Sequence, residues 1–284
     1  MFLPMIATSR IRNRLLPAML SSIAVLPLAS AAQPLFDAHL HYNAGDAARY
    51  SPGDIVELLQ SEEVKYAVVT SRPPDLVSRL YHRAPTLILP LLGVYRTPEE
   101  KETWMQDEGL PSRVAQALKQ DHWRGVGELH IFAKERRNPV FLSVVELATA
   151  RGLPLLMHCD PAVIDTLFEQ APGARVVWAH AGAYPYPPLL RDYLERYPGL
   201  HIDLSVRDQR IAPGGQLGPD WELLLLEYPD RFLIGVDTYR TARWKNYSRV
   251  AKQIRKWLQQ LPEEVSESIA YRNGARLFGQ ELND

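Results

Sequence analysis

Several things are scarce in this chain, and each scarcity excludes something. Cysteine occurs once in 284 residues, at Cys159, so no internal disulfide can form in any compartment. Neither sign of charge prevails: 32 Lys and Arg face 33 Asp and Glu, for a net charge of -1. There is no basic tail and no long charge run, so general nucleic-acid binding lacks its electrostatic footprint. The one long apolar run, residues 15–28, falls short of the roughly 20 residues that a membrane-spanning helix needs. No Gly-rich loop follows the first strand-like stretch, which removes the usual mark of a dinucleotide-binding sheet. Linkers, repeats and low-complexity segments are absent from residues 33–284.

What is present begins with a leader. Arg10, Arg12 and Arg14 form a positive region, residues 15–28 are apolar, and Ala29-Ser30-Ala31-Ala32 offers small residues for cleavage. This pattern predicts a signal peptide over residues 1–32, with a mature start near Ala32 or Gln33. A retained N-terminal anchor is the alternative. No cysteine follows the run, which argues against a lipid-anchored start, and Arg12-Asn13-Arg14 lacks the adjacent arginine pair of a twin-arginine signal. The expected location is the periplasm or the exterior, with no stable membrane association after cleavage.

Beyond the leader, apolar and β-branched runs alternate with helical spacing. Strands are expected within 35–43 (LFDAHLHYN), then at 65–70 (KYAVVT), 86–94 (TLILPLLGV), 123–131 (WRGVGELHI), 153–158 (LPLLMH), 174–180 (ARVVWAH), 200–205 (LHIDLS) and 231–237 (RFLIGVD). Helical stretches separate them, a long irregular one over 97–119 among them. Two closing helices are expected at 243–261 and 262–278. Eight strand–helix alternations predict parallel βαβ units and a single-domain α/β fold, the (β/α)8 TIM barrel, with an open doubly wound sheet as its competitor.

Such barrels carry their chemistry at the C-terminal ends of the strands. Here those ends hold His39 and His41, Glu128 and His130, His158, His180 and Asp237. Alternate residues of a strand share a face, so His39 and His41 point the same way, with Asp37 one step deeper. An isolated HxH is more often a packing accident than a metal site. Histidines that select one rim on four different strands are not what core packing would produce. A divalent metal, bound by imidazole and carboxylate, accounts for the whole set.

With these residues in view, the chain resembles the amidohydrolase superfamily, in its amidohydrolase-related, aminocarboxymuconate-semialdehyde-decarboxylase-like branch. The carrying motifs are FDAHLH, LLMHCD, VVWAHAG, LIGVDT and the closing AYRNGARLFG. The resemblance implies that His39, His41, His158 and Asp237 hold a divalent cation, usually Zn²⁺, one or two per chain. It implies that Asp237 is the general base and that His180 polarises the substrate carbonyl or binds a second metal. Many relatives carry a carboxylated lysine on the fourth strand; here Gly127-Glu128-Leu129-His130 has none. Glu128 is then either the bridge of a binuclear centre, as in TatD-like nucleases, or a residue behind a single metal. A third option makes it purely structural, paired to Arg124 or another cation.

Other rim residues bear on the substrate. Arg72, Arg96, Arg207 and Arg240 follow the second, third, seventh and eighth strands, where a guanidinium can grip a carboxylate or phosphate. His130 shares the inward face and is a further substrate-contact candidate. Tyr239 matches the parity of Asp237 and would wall a pocket; Trp178 matches that of His180 but is expected in the core before the pocket wall. Cys159 has the opposite parity and reads as packing. Asp203 and Ser205 face inward, and Asp203 is placed to hold the free nitrogen of a ligand histidine. The expected activity is metal-dependent hydrolysis of an ester, lactone or amide of a small anionic molecule. Non-oxidative decarboxylation is the main rival, and phosphoester hydrolysis follows if the centre is binuclear. No nucleic-acid partner is expected. A homodimer through the outer helices is compatible with the sequence, though no stretch points to one.

Overall fold

Eight short strands order this computed structural model, which describes residues 1–2 and 32–282. They are β1 (Leu35–His41), β2 (Val64–Thr70), β3 (Ile88–Leu92), β4 (Gly125–Ile131), β5 (Leu155–Cys159), β6 (Val176–Trp178), β7 (Leu200–Asp203) and β8 (Phe232–Leu233). Each pairs in parallel with the next, so sheet order is sequence order. The ring closes through backbone bonds between β1 and the chain just past β8: Ala38 N–H donates to Ile234 O at 2.9 Å, and Asp237 N–H to His39 O at 2.7 Å. The fold is therefore the expected (β/α)8 barrel. The predicted leader, apart from residues 1, 2 and 32, lies outside the described residues. No helix among the described residues is long and apolar enough to cross a membrane.

One main helix follows each strand: α1 (Pro52–Ser61), α2 (Leu76–Arg83), α3 (Leu110–Ala117), α4 (Pro139–Thr149), α5 (Pro161–Gln170), α6 (Pro187–Arg196), α7 (Pro219–Glu227) and α8 (Tyr247–Leu258). Six of these eight carry proline in the first turn, where its fixed φ suits the helix and its missing N–H costs nothing. Ser51 and Asp54 form a reciprocal cap on α1 (2.7 and 3.2 Å), and Asn138 Oδ1 accepts from Val140 N–H and Phe141 N–H on α4. Covered by helices on one side and by the barrel filling on the other, the strands are buried almost throughout, hence their nearly unbroken apolar runs.

One expectation about the connections is filled in and one changes. The irregular helical stretch expected over 97–119 consists of two 3-10 turns, Glu99–Glu102 and Trp104–Gln106, followed by α3. The last helical region, Glu263–Leu277, is interrupted by a π-turn at Ser268–Arg272. It carries the motif AYRNGARLFG, in which Asn273 Nδ2 donates to Pro229 O (2.8 Å) and Phe232 O (2.9 Å). That motif fastens the chain around β8 rather than adding chemistry.

Candidate active site

Local irregularities aim the site's side chains. In β1 the pairing with β2 slips by one residue between Asp37 and Leu40, as a β-bulge does. His39 and His41 keep a common direction, but Asp37 does not join them. Its carboxylate accepts instead from Tyr247 Oη (2.7 Å), His39 N–H (3.1 Å) and Val236 N–H (3.2 Å). Burial pushes the Asp37 carboxyl up to about 7. A second slip, between Gly127 and Leu129 in β4, turns Glu128 inward. It requires glycine at 127, where φ is +139° and a Cβ would lie 2.5 Å from Leu156 O. Among the described residues, five non-glycine residues have positive φ, and four of them, His180, Ala181, Val206 and Asp237, stand at the ends of β6, β7 and β8. Such conformations cost energy and concentrate at functional sites. The left-handed turn at His180 also breaks the parity expected of β6. Trp178 goes into the core, fully buried against Tyr193 and donating to Cys159 O (3.0 Å), while His180 turns to the cavity.

At the floor of a cavity of about 290 Å³ the predicted ligands meet. His39 Nε2 and His41 Nε2 are 3.3 Å apart. Asp237 Oδ1 is 3.3 Å from His41 Nε2 and 3.8 Å from His39 Nε2. Glu128 lies among all five imidazoles. Its Oε1 is 3.0 Å from His158 Nδ1, 3.5 Å from His180 Nε2 and 3.6 Å from His39 Nε2. Its Oε2 is 3.4 Å from His130 Nε2 and 3.5 Å from His41 Nε2. Two details differ from the expected set. His158 joins the cluster through Glu128, with its side chain 44% exposed, rather than beside Asp237. Glu128 is not paired with Arg124, whose guanidinium donates to the carbonyls of Asp121 and Trp123.

Around the cluster, a ring of hydrogen bonds fixes orientation. Asp203, fully buried, holds His39 Nδ1 at 2.8 Å and accepts from Ser205 Oγ (2.5 Å) and His180 N–H (3.2 Å). Ser205 Oγ in turn meets His180 Nδ1 at 2.8 Å. Thr238 clasps the His41 backbone, accepting from its N–H and donating to its carbonyl, both at 2.8 Å. Arg243 grips the carbonyls of Asp237 and Val236. Tyr95, which the sequence did not single out, bridges Glu128 O (2.8 Å) and His130 Nδ1 (2.6 Å). A carbonyl only accepts, so the network that satisfies every group has Tyr95 O–H donating to Glu128 O and His130 Nδ1–H donating to Tyr95 Oη. His130 Nε2 then presents a lone pair to the cavity. Burial drives this imidazole down to about 2, so it is neutral at ordinary pH.

These donors fit a divalent cation. Nitrogen and oxygen ligands about 2.1 Å from a tetrahedral ion lie roughly 3.4 Å from one another, which matches the spacing of His39, His41, Asp237 and Glu128. Asp237 Oδ1 is buried and makes no hydrogen bond among the described residues, although two imidazole nitrogens are within 4 Å. An orphaned anionic oxygen in a dry site is costly unless a cation completes it. Burial alone would drive His39 to lose its proton, but Asp237, Glu128 and Asp203 outweigh it and hold the imidazolium well above its usual range. Burial likewise opposes ionisation of Glu128, yet the surrounding imidazoles hold it well below the ordinary carboxylate value. The site is thus a fixed pair of carboxylates that attracts positive charge, and a divalent ion is the species that satisfies both.

The four predicted arginines separate. Arg72 and Arg207 line the cavity. Arg207 gives its donors to His180 O (2.8 Å) and Gly182 O (3.0 Å). Arg96 is not brought there. Its side chain is 72% exposed, pairs with Glu100 at 2.7 Å, and borders a separate cavity beside β3. Arg240 lies over the Tyr239 ring, 5.2 Å from its centre, and it is Tyr239, not Arg240, that lines the cavity. Lys101 also lines it; hidden in the irregular 97–119 stretch, it had no periodicity to mark it. Cys159 is buried, with its thiol pushed up by burial, as packing requires.

A (β/α)8 barrel whose C-terminal rim gathers five histidines, a glutamate and an aspartate is the architecture of a metal-dependent hydrolase or a related enzyme. The amidohydrolase family model matches residues 36–280, and the chain belongs to that family within the amidohydrolase superfamily. No curated protein sequence matches it. Among solved structures, it is similar to an amidohydrolase from Burkholderia multivorans with bound HEPES (16% identity, 87% of this chain, 100% of that one, TM-score 0.57). It is also similar to a probable 2-pyrone-4,6-dicarboxylic acid hydrolase from Acinetobacter baumannii with citric acid bound (15%, 86% and 99%, TM-score 0.58). A third is 4-oxalomesaconate hydratase from Rhodopseudomonas palustris (13%, 86% and 95%, TM-score 0.56). At these identities the structures bear on the fold.

Proposed function

We propose that this protein hydrolyses an ester, lactone or amide bond of a small anionic molecule, with a divalent cation held by His39, His41 and Asp237 and adjoined by Glu128. The observation that carries the reading is Asp237 Oδ1, a buried carboxylate oxygen with no hydrogen bond, facing two imidazole nitrogens at 3.3 and 3.8 Å. A cation bound by these residues, most simply Zn²⁺, would supply Lewis acidity toward water and the scissile carbonyl. Asp237 takes the proton of the attacking water and returns it to the leaving oxygen or nitrogen as the carbon–heteroatom bond breaks. His180, whose Nδ1 is held against Ser205 Oγ, directs Nε2 into the cavity, where as an imidazolium it would donate to the carbonyl oxygen and polarise it. The cavity, at about 290 Å³, is at the small end for ligand sites, which favours a small substrate. Export under the N-terminal leader would place the mature chain in the periplasm or outside the cell.

A second reading rests on Glu128. Because one carboxylate oxygen faces His158 and His180 and the other faces His41 and His130, Glu128 is positioned to bridge two cations, and phosphoester hydrolysis then becomes the competing chemistry. The test is a panel of small anionic lactones, esters and amides, phosphoesters, and carboxylates followed for CO₂ release, each with the wild type and Asp237→Asn. The proposal expects turnover of a carbonyl substrate that Asp237→Asn abolishes. CO₂ release alone, or full activity of Asp237→Asn, overturns it.

A further inference from the structure

Of the cations around the cavity, Arg207 gives its donors to two carbonyls, Arg96 pairs with Glu100, and Arg240 lies over the Tyr239 ring, outside the cavity lining. Two others line the cavity with polar donors to spare. Lys101, on the turn Glu99–Glu102 after β3, is half-buried in the cavity wall, and its amine makes no hydrogen bond or ion pair among the described residues. Arg72, just past β2, lines the same side. Its Nε meets Asn43 Oδ1 at 3.3 Å, which together with the Arg72 N–H bond to the same oxygen (2.9 Å) fixes the stem. The guanidinium lies 6.0 Å from the centre of the Tyr95 ring, a contact that leaves its two terminal nitrogens without a hydrogen bond among the described residues.

The two cations are within electrostatic reach of each other. Burial pulls the Lys101 amine down, and Arg72 pulls it further, while Glu128 and Asp237 act against them. Two unpaired like charges partly removed from water cost energy unless an anion joins them, and the cavity wall holds no third acid to do so among the described residues. A lone lysine on a loop would be solvated and unremarkable. A lysine and a stem-anchored arginine converging on a cavity with metal-type ligands at its floor form a receptor for a carboxylate.

We propose that Lys101 and Arg72 form an anion clamp on the β2–β3 side of the cavity, selecting organic acids whose carboxylate is separate from the scissile carbonyl. The clamp rests on this cavity being the substrate site and deepens the hydrolase reading by naming the substrate class. Arg72 provides a planar fork for two carboxylate oxygens, and Lys101 a point charge.

Calorimetric titration of the metal-loaded enzyme with glutarate, monomethyl glutarate and dimethyl glutarate tests it. The expected order of affinity in the wild type is glutarate, then the monoester, with the diester not bound. Lys101→Met and Arg72→Gln each weaken glutarate roughly tenfold or more, the scale of a lost charge-assisted bond, and Lys101→Arg restores most of the loss. Arg113→Gln, beside the neighbouring cavity, leaves binding unchanged. Glutarate binding equal in wild type, Lys101→Met and Arg72→Gln, or no binding by the wild type, overturns the clamp. The two readings fail separately. Clamp-dependent glutarate binding with no carbonyl substrate turned over sinks the hydrolase reading alone. Turnover of a neutral ester untouched by Lys101→Met sinks the clamp alone.

Discussion

Two cavities share the loop that follows the third strand, and they teach opposite lessons. The larger, about 460 Å³, is walled by Leu92, Val94, Leu110 and Val114 and rimmed by Arg96 with Glu100 and Arg113 with Asp107. Its charges are paired with one another and exposed, so they neutralise locally and are worth little. The smaller, about 290 Å³, holds Glu128, Asp237 and four histidines besides Lys101, Arg72 and Arg207. Its carboxylates are buried and one of their oxygens is orphaned. Size therefore does not mark the site. Unsatisfied, pre-oriented charge does, because the fold maintains it at a cost that only a ligand offsets.

Removing groups from one cavity and not the other breaks or sharpens that contrast. Asp237→Asn is expected to have the largest effect: a loss of about 10²–10⁴ in kcat with the fold retained, the scale of general acid–base catalysis, measured by steady-state kinetics beside circular dichroism. His41→Ala is expected to lose bound metal, read by elemental analysis. Asp203→Asn comes next. It leaves every donor in place but frees His39 Nδ1 and the Ser205–His180 link, and a 10–100-fold fall in metal affinity is expected from loss of such an orienting carboxylate, measured by chelator competition. Arg96→Gln, at the larger cavity, is expected to change kcat/KM by less than about twofold, since an exposed pair contributes under roughly 1 kcal/mol.

Outside both cavities, His201 on β7 supplies a pH effect of a different kind. Burial, with Arg231 nearby, lowers this imidazole to about 4, and its Nδ1 is buried without a partner. The folded state therefore binds fewer protons than the unfolded one between about 4 and the ordinary value of about 6.5. Its contribution to stability is complete above about 6.5 and is lost as pH falls toward 4, by at most about 3 kcal/mol. His201→Gln is expected to flatten the stability profile across that window in urea unfolding, without moving the pH profile of activity.

Much of the architecture was legible in the sequence because burial on both faces writes a strand as an apolar run, and metal ligation writes histidine and carboxylate at the run's end. All eight strands fall within a few residues of their expected places, and His39, His41, Glu128, His130, His180 and Asp237 converge. What escaped was set by departures from regular geometry. Period-two parity put Asp37 one step deeper on the face of His39 and His41, but could not show that its carboxylate is taken up by Tyr247, His39 N–H and Val236 N–H next to a one-residue slip. Trp178 lies in the core, the place favoured for it, while a left-handed residue at 180 turns His180 alone to the cavity, which strand parity does not foresee. The arginines could be counted but not their partners, which lie a strand away for Arg207 and four residues away for Arg96. Lys101 and Tyr95 come from the least periodic part of the chain, where no pattern ranks one residue above another.

The measurement that tests the account most directly is the metal content of purified residues 33–284, by elemental analysis, beside Glu128→Ala and His41→Ala. The account predicts about one divalent ion per chain, lost in His41→Ala and largely kept in Glu128→Ala; about two ions in the wild type, falling in Glu128→Ala, would instead make Glu128 a bridge. A chain that binds no metal after reloading with zinc or manganese, or a His41→Ala variant that binds it as the wild type does, would contradict the central claim.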